Sequence, residues 1–260
     1  APLLVAPAMD GGMYSNAATQ ENMAKLRQRG VLIAGPASGR LASGLIGTGR
    51  LLETPELLGH IAYALGKDGD LAGRTIVVSA GGTMEPIDPV RVITNHSSGK
   101  MGYALAEAGR DRGAKVILVA APTGLPDPAL VEVVNVKTAQ EMCDSVLQRV
   151  KGADALIMAA AVADYRPKNE AEQKIKKSDG DLTIDLAKTT DILEAATGDF
   201  VKVGFSAETQ NLIANAIRFR QADPPRVQVS SRLDGPEWVF SVRDNGIGIE
   251  PEYAERIFTI

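Results

Sequence analysis

Apolar and polar positions along the chain alternate between two periods, and the switches between them mark out elements. Compact apolar runs stand at 3–6, 31–34, 75–80, 115–120, 131–136 and 155–160. Between them, apolar residues recur every three to four positions at 17–29, 55–65, 98–112 and 139–150. The first set has the length and β-branched content of strands, the second the period of amphipathic helices. TIVVSA at 75–80 and KVILVA at 115–120 are apolar on both faces, as buried parallel strands are. Strands alternating with helices of this length predict an α/β fold, a Rossmann-like doubly wound parallel sheet with ligands at the carboxyl ends of its strands.

Two breaks interrupt the pattern. The polar, glycine-rich stretch GKDGDLAG predicts a linker at 67–73, separating a segment 1–66, with a glycine-rich loop after 34, from a domain 74–209. Beyond 209 the pattern becomes a helix at 211–219 and a β-hairpin formed by 226–231 and 237–242, with Asp234-Gly235 at its turn. The single Trp238 lies there, in a third segment, 210–260.

Composition narrows the class. A chain of 260 residues can bury a sizeable core. The longest uncharged apolar run, 155–163, is far short of the roughly 20 residues of a membrane helix, and no leader pattern opens the chain. A single cysteine, Cys143, excludes an internal disulfide and a paired-cysteine metal site, which fits a cytoplasmic protein. The net charge of −4 argues against a general nucleic-acid binder but leaves room for a local basic patch. The chain opens at Ala1 inside an apolar run and closes on an apolar stretch at Ile260, and both ends read as cut edges of something longer.

Four motifs could carry chemistry. GGTMEPIDPVRVITNHSSGKMG, 81–102, spends some fifteen residues where a strand-to-helix turn needs about 2–6. Gly81 and Gly82 allow close approach, and Ser97 or Ser98 can start a helix whose free N–H groups, with Gly99 leaving room, favour an anion. A structural Ω-loop with an ordinary cap explains the same letters, and a Walker A loop does not, since no Ser or Thr follows Lys100. MAAAVADYRPKNEAEQKIKK, 158–177, is a strand end followed by Asp164 and then by Arg166, Lys168, Lys174, Lys176 and Lys177. These suit a departing pyrophosphate, or are simply a solvated charged loop. KTTDIL, 188–193, predicts a helix started by Asp191 and capped by Thr189 or Thr190. VGFSAET, 203–209, is a strand running into a loop, with Phe205 either core or a base-stacking platform.

Taken in order and spacing, GGTMEPIDPVRVITNHSSGKMGYALA, AAAVADYR, KIKK, DIL and VGFSAET resemble the phosphopantothenate–cysteine ligase family of coenzyme A biosynthesis. The resemblance implies two steps. The carboxylate of 4′-phosphopantothenate attacks the α-phosphate of CTP, releasing pyrophosphate, and the amine of cysteine then displaces CMP from the acyl-cytidylate. It implies Mg²⁺ on the triphosphate, at a site for which no ligands can be named, and a homodimer. Asn95 matches the asparagine that handles the acyl-cytidylate, and Lys174 the lysine required for activation. Gly81, Gly82, Ser98, Gly99, Ala159, Ala160, Asp164, Lys174, Thr189, Thr190, Asp191, Ile192 and Phe205 fall on nucleotide-binding positions. Thr190 stands where the family commonly has proline.

APAMDGGMYSNAATQENMAKLRQRG and GPASGRLASGLIGTGRLLE resemble the last third of the flavin-dependent phosphopantothenoylcysteine decarboxylases. That resemblance implies FMN in a complete decarboxylase and places Asp10 and Met13 in its substrate and flavin region. Asp10 replaces an asparagine, and Ser43 stands where the proton-donating cysteine is expected. A hydroxyl is a far weaker acid than a thiol, so decarboxylation by this chain is not expected.

After Thr209 the letters depart from the ligase pattern. QNLIANAIRFR and VFSVRDNGIGIEPEYAERIF resemble the ATP-binding domain of sensor histidine kinases, an α+β fold. Asn215 sits at the metal-binding asparagine of that domain, and Asp244, Gly246 and Gly248 at its adenine-reading acid and glycines. Neither His60 nor His96 has a phosphoacceptor context, and the second glycine-rich box is missing, so kinase activity is not expected. The join falls where both patterns share letters, and it reads as a chimeric one.

Overall fold

The structure is a computed structural model that describes residues 1–176, 182–205, 227–234 and 237–244. The chain divides into two compact units, Ala1–Val203 and Gly204–Ile260.

The first unit opens with β1 (Leu4–Val5), α1 (Gly11–Ser15), α2 (Ala17–Gln28), β2 (Leu32–Ile33), β3 (Ala37–Arg40), β4 (Ile46–Arg50) and α3 (Thr54–Gly66). β1 and β2 pair in parallel, while β3 and β4 form an antiparallel hairpin inside the expected glycine-rich loop. ASGR and IGTGR carry no alternating apolar signal, so the sequence gives that hairpin no strand signature. α2 begins where Asn16 accepts from the N–H of Ala18, and α3 begins at a reciprocal cap between Glu53 and Glu56.

The chain continues through β5 (Thr75–Ala80), β6 (Met84–Pro86), β7 (Val92–Thr94), α4 (Lys100–Asp111), β8 (Lys115–Ala120), β9 (Glu132–Asn135), α5 (Ala139–Arg149), β10 (Ala155–Met158), β11 (Tyr165–Pro167), β12 (Leu186–Lys188), α6 (Ile192–Ala195) and β13 (Val201–Gly204). Residues 67–73, expected as a linker, form turns seated on the end of α4. Leu71 N–H donates to Arg112 O at 3.1 Å, and Arg112 pairs with Asp70.

The main sheet has the order β13-β10-β5-β8-β9, with β10, β5, β8 and β9 parallel. Successive side chains of a strand face opposite sides. Ile76, Val78 and Ala80 therefore pack with Tyr103 and Ala106 of α4, while Val77 packs with Met142 and Val146 of α5 and with Leu156. This is the doubly wound arrangement that the periodicity predicted. No described helix is long and apolar enough to cross a membrane.

Two helix starts differ from expectation. α4 begins at Lys100 rather than at Ser97 or Ser98, because Gly99 takes a left-handed conformation (φ 71°) that ends the loop. α6 begins at Ile192, with Asp191 itself as the cap accepting from Glu194 N–H, so neither threonine caps it.

In the second unit, β14 (Val227–Asp234) and β15 (Glu237–Asp244) pair antiparallel with Asp234 opposite Glu237, the expected hairpin. Asp244 ends β15; the helix expected at 211–219, Asn215, Gly246 and Gly248 lie outside the described residues.

Candidate functional site

Strand order reverses at β5: β8 and β9 lie to one side, β10 and β13 to the other. Connections leaving the carboxyl ends of β5 and β10 therefore diverge, and the crevice between them is where such sheets bind ligands. Gly81 and Gly82 continue from β5, Ala159 and Ala160 from β10. Beyond the strands the two ends stay adjoined: Gly82 pairs with Ala161, and Ala161 N–H donates to Gly81 O at 2.8 Å. A Cβ on Gly82 would lie 2.5 Å from the carbonyl oxygen of Asn95, so glycine is what lets the returning loop lie on the strand end.

The long loop after β5 is not open. It folds as the β6–β7 hairpin, pairing Met84 with Thr94 and Pro86 with Val92. Buried Glu85 fixes it from below by accepting from Ala139 N–H, 2.8 Å, at the start of α5, where a carboxylate also suits the helix dipole. Asn95 follows β7 directly. Its Nδ2 donates to Val162 O at 3.1 Å, and the neighbouring Thr94 hydroxyl donates to Thr83 O at 2.8 Å. One amide hydrogen of Asn95 thus anchors the side chain. The other, with Oδ1, makes no hydrogen bond among the described residues.

At the start of α4 the serine hydroxyls make only long contacts. Ser97 Oγ accepts from Gly99 N–H at 3.4 Å and Ser98 Oγ from Lys100 N–H at 3.5 Å. A helix start with weakly engaged N–H groups suits an anion. Gly99 is packed so closely that a Cβ would fall 2.6 Å from Thr123 Cγ2.

The opposite wall, 159–164, is laced to its neighbours by hydroxyls. Ser79 Oγ accepts from Ala159 and Ala160 N–H, both 3.1 Å, and Thr83 Oγ1 accepts from Ala163 N–H at 2.9 Å. Thr189 donates through Oγ1 to Ala163 O, 2.6 Å, and through N–H to Asp164 O, 2.9 Å. The N–H groups of Ala159, Ala160, Ala161 and Ala163 are all spoken for, so carbonyls and side chains remain for a ligand. Asp164 and Thr190 are exposed, whereas Ile192 is buried in the core on the α5 face and offers its side chain to packing. Phe205, half-buried, falls in the second unit.

The basic stretch leaves β10 through β11, which pairs antiparallel with β12. Lys174 is exposed and Lys177 lies outside the described residues. Residues 171–175 are nevertheless tied down. Ala171 N–H donates to Ile87 O at 3.0 Å, Ile175 N–H donates to Asp88 Oδ2 at 3.1 Å, and Arg91 donates to Ile175 O at 3.0 Å. Asp88 is 1% exposed and holds the Arg91 guanidinium at the hairpin turn; those bonds keep its carboxyl well below the usual range.

Ser79, Thr83, Asp88 and Arg91 were not singled out from sequence. A serine inside the apolar run TIVVSA, and an Asp ahead of a Pro-Val-Arg turn, were the available signals. Elsewhere in the first unit, Asp10 caps α1 and accepts from Gly12 N–H at 3.1 Å and from Ser43 Oγ at 2.5 Å. The Ser43 hydroxyl first, then the Gly12 N–H, lowers the Asp10 pKa, while Met13 is exposed. The two positions that depart from the decarboxylase pattern therefore touch each other.

Comparison with known proteins places this architecture. The sequence model of the family described as DNA/pantothenate metabolism flavoprotein C-terminal domain matches residues 71–252. The chain belongs to that family. Residues 1–66 match a second family, described as Flavoprotein. The first match runs past residue 210 and through the hairpin, so one family model covers most of the segment 210–260 that was expected to be kinase-like. The Coenzyme A biosynthesis bifunctional protein CoaBC of Vibrio parahaemolyticus is 49% identical over 217 residues, covering 81% of this chain and 54% of that protein. The protein of that name from Mycobacterium tuberculosis is 48% identical over 223 residues, covering 80% and 53%. The chain thus spans about half the length of the curated relatives it matches. Among solved structures, the C-terminal domain of Coenzyme A biosynthesis bifunctional protein CoaBC aligns at 37% identity and TM-score 0.50, over 72% of this chain and 93% of that one.

Proposed function

We propose that the chain works in coenzyme A biosynthesis as a CTP-dependent phosphopantothenate–cysteine ligase. The observation that carries this reading is the placement of Asn95. It is held by Val162 O across the crevice between the β5 and β10 ends, within a motif of the ligase pattern that runs unbroken from Gly81 to Gly102.

The residues support the two steps as follows. Phosphates of CTP lie against Gly81, Gly82 and the start of α4, where the weakly engaged N–H groups of Gly99 and Lys100 suit an anion. The phosphopantothenate carboxylate attacks the α-phosphorus, the bond to the β-phosphate breaks, and the ammonium of Lys174 offsets the charge gathering on pyrophosphate. The free amide hydrogen of Asn95 donates to the acyl oxygen of the resulting cytidylate. The amine of cysteine then attacks the acyl carbon, CMP leaves, and the amine releases a proton to solvent.

No group of three or more His, Cys, Asp or Glu side chains among the described residues is arranged to hold a metal ion, so Mg²⁺ enters this reading with the triphosphate. The flavin-dependent decarboxylation lacks its acid in this chain: Ser43 stands in place of the thiol and donates its hydrogen to Asp10. Homodimerisation belongs to this reading by family resemblance.

The test mixes the chain with CTP, Mg²⁺, phosphopantothenate and cysteine. Pyrophosphate and phosphopantothenoylcysteine are expected; absence of pyrophosphate removes the ligase reading. Within it, Asn95→Ala disturbs turnover of the acyl-cytidylate more than CTP affinity, and a loss confined to CTP affinity contradicts the role given to Asn95.

A second reading places an ATP-binding module in 210–260. It rests on the joint occurrence of Asn215, Asp244, Gly246 and Gly248 in the sequence, against which the family match through residue 252 favours the first reading. ATP-selective binding that survives Asn95→Ala favours it.

A further inference from the structure

Asp88 lies inside the 81–102 loop motif without a role in either step above, and it is among the most buried charged groups of the first unit. Two of its bonds are local: Oδ1 accepts from Val90 and Arg91 N–H, both 2.9 Å, and closes the turn between β6 and β7. Oδ2 takes the guanidinium of Arg91, also local, with Nε at 2.9 Å, and in addition Ile175 N–H at 3.1 Å, which is not local. Arg91 in turn donates to Ile175 O at 3.0 Å. Both backbone groups of Ile175 are therefore clasped by one carboxylate–guanidinium pair more than eighty residues away in sequence. A turn that only needed closing would not require the second pair of bonds.

The residue before Ile175 is Lys174. The residue four positions after Arg91 is Asn95, at the far end of β7, roughly 13 Å of extended chain from the clasp. The β6–β7 hairpin thus carries Asn95 at one end and fixes the backbone that bears Lys174 at the other. We propose that Asp88 is a positioning residue which, through Arg91, sets the Lys174 backbone on the same rigid hairpin as Asn95. This rests on the ligase reading for the use to which Lys174 is put, but the clasp itself is independent of it. A lysine on an otherwise exposed stretch loses side-chain and backbone freedom only once when it is pre-set, rather than at each turnover.

The test uses the 260-residue chain and two variants. Asp88→Asn weakens both long-range bonds. Arg91→Lys keeps a cation against Asp88 but loses the fork that also reaches Ile175 O, so it carries the test if Asp88→Asn fails to fold. Pyrophosphate release from CTP and phosphopantothenate is expected to fall roughly 10- to 100-fold in kcat for each variant, with KM for CTP changed less than about threefold. Trypsin is expected to cut after Lys174 faster in Asp88→Asn while its other cleavages keep their rates. Unchanged kcat, a KM rise that accounts for the loss, or faster cutting at all sites overturns the proposal, the last marking general destabilisation. If the unaltered chain releases no pyrophosphate, the ligase reading fails, and the clasp is judged by selective cleavage after Lys174.

Discussion

The segment 1–66 and the sheet that follows it are built on opposite principles. In 1–66 the buried apolar side chains are Met23, Ala34, Leu41 and Ala64, while Leu3, Met13, Leu45, Ile46, Leu51, Leu58, Ile61 and Leu65 are exposed. Its polar pair, Ser43 with Asp10, is also exposed. From β5 onward the positions reverse. Two apolar clusters enclose the sheet, and polar groups such as Ser79, Thr83, Glu85 and Asp88 are buried with their hydrogen bonds made. Buried polar groups are tolerated only when paired, and once paired they fix geometry. The difference teaches where function can be precise: the crevice is set by hydroxyls and carboxylates locked beneath it, whereas the Asp10–Ser43 pair has no such support.

Substitutions can break or sharpen this contrast. The largest effect falls on chemistry: Lys174→Gln abolishes pyrophosphate release, measured by a coupled phosphate assay, and unchanged release contradicts the role of Lys174. Next, Leu156→Ala, at a fully buried site between β5 and α5, costs about 2–5 kcal/mol in denaturant unfolding. Ile46→Ala, on the exposed hairpin of the first segment, changes stability by no more than about 0.5 kcal/mol. Equal effects at the two sites would erase the contrast. Ser79→Ala leaves the N–H groups of Ala159 and Ala160 without their acceptor and costs about 1–3 kcal/mol, seen by the same method.

Acidification gives a smaller, graded effect. Asp154 accepts from Thr75 N–H and from Arg74, and Asp88 is held by Arg91; both carboxyls titrate below their ordinary range in the folded chain. Their contribution is present above the unfolded value of about 3.9 and is lost as pH falls below it. Unfolding midpoints therefore drop between about pH 4 and pH 2. Asp154→Asn flattens that drop; an unchanged slope contradicts the assignment.

The elements that the sequence made legible share one property: their signal is local. β5 and β8 match their apolar runs residue for residue, because strands buried on both faces leave continuous runs. The motifs that hold Gly81, Gly82, Asp164 and Thr189 were also readable as stretches of adjacent letters, and the structure brings Gly81 and Gly82 against Ala161. What escaped needed distant partners. The β3–β4 hairpin is built from Gly, Ser and Arg and has no apolar period. The basic stretch at 171–175 reads as a solvated loop until its bonds to Ile87, Asp88 and Arg91 are seen. Asp191 took the cap expected of its neighbours by accepting from Glu194 N–H, while Thr189 donates to Ala163 O instead.

The central claim is that the β5–β10 crevice activates a carboxylate with CTP. Its most direct test is pyrophosphate release from CTP by the chain in the presence of phosphopantothenate and in the absence of cysteine. The account predicts a burst of pyrophosphate stoichiometric with acyl-cytidylate, lost in Lys174→Gln. Release that is absent from the unaltered chain, or that persists undiminished in Lys174→Gln, would contradict it.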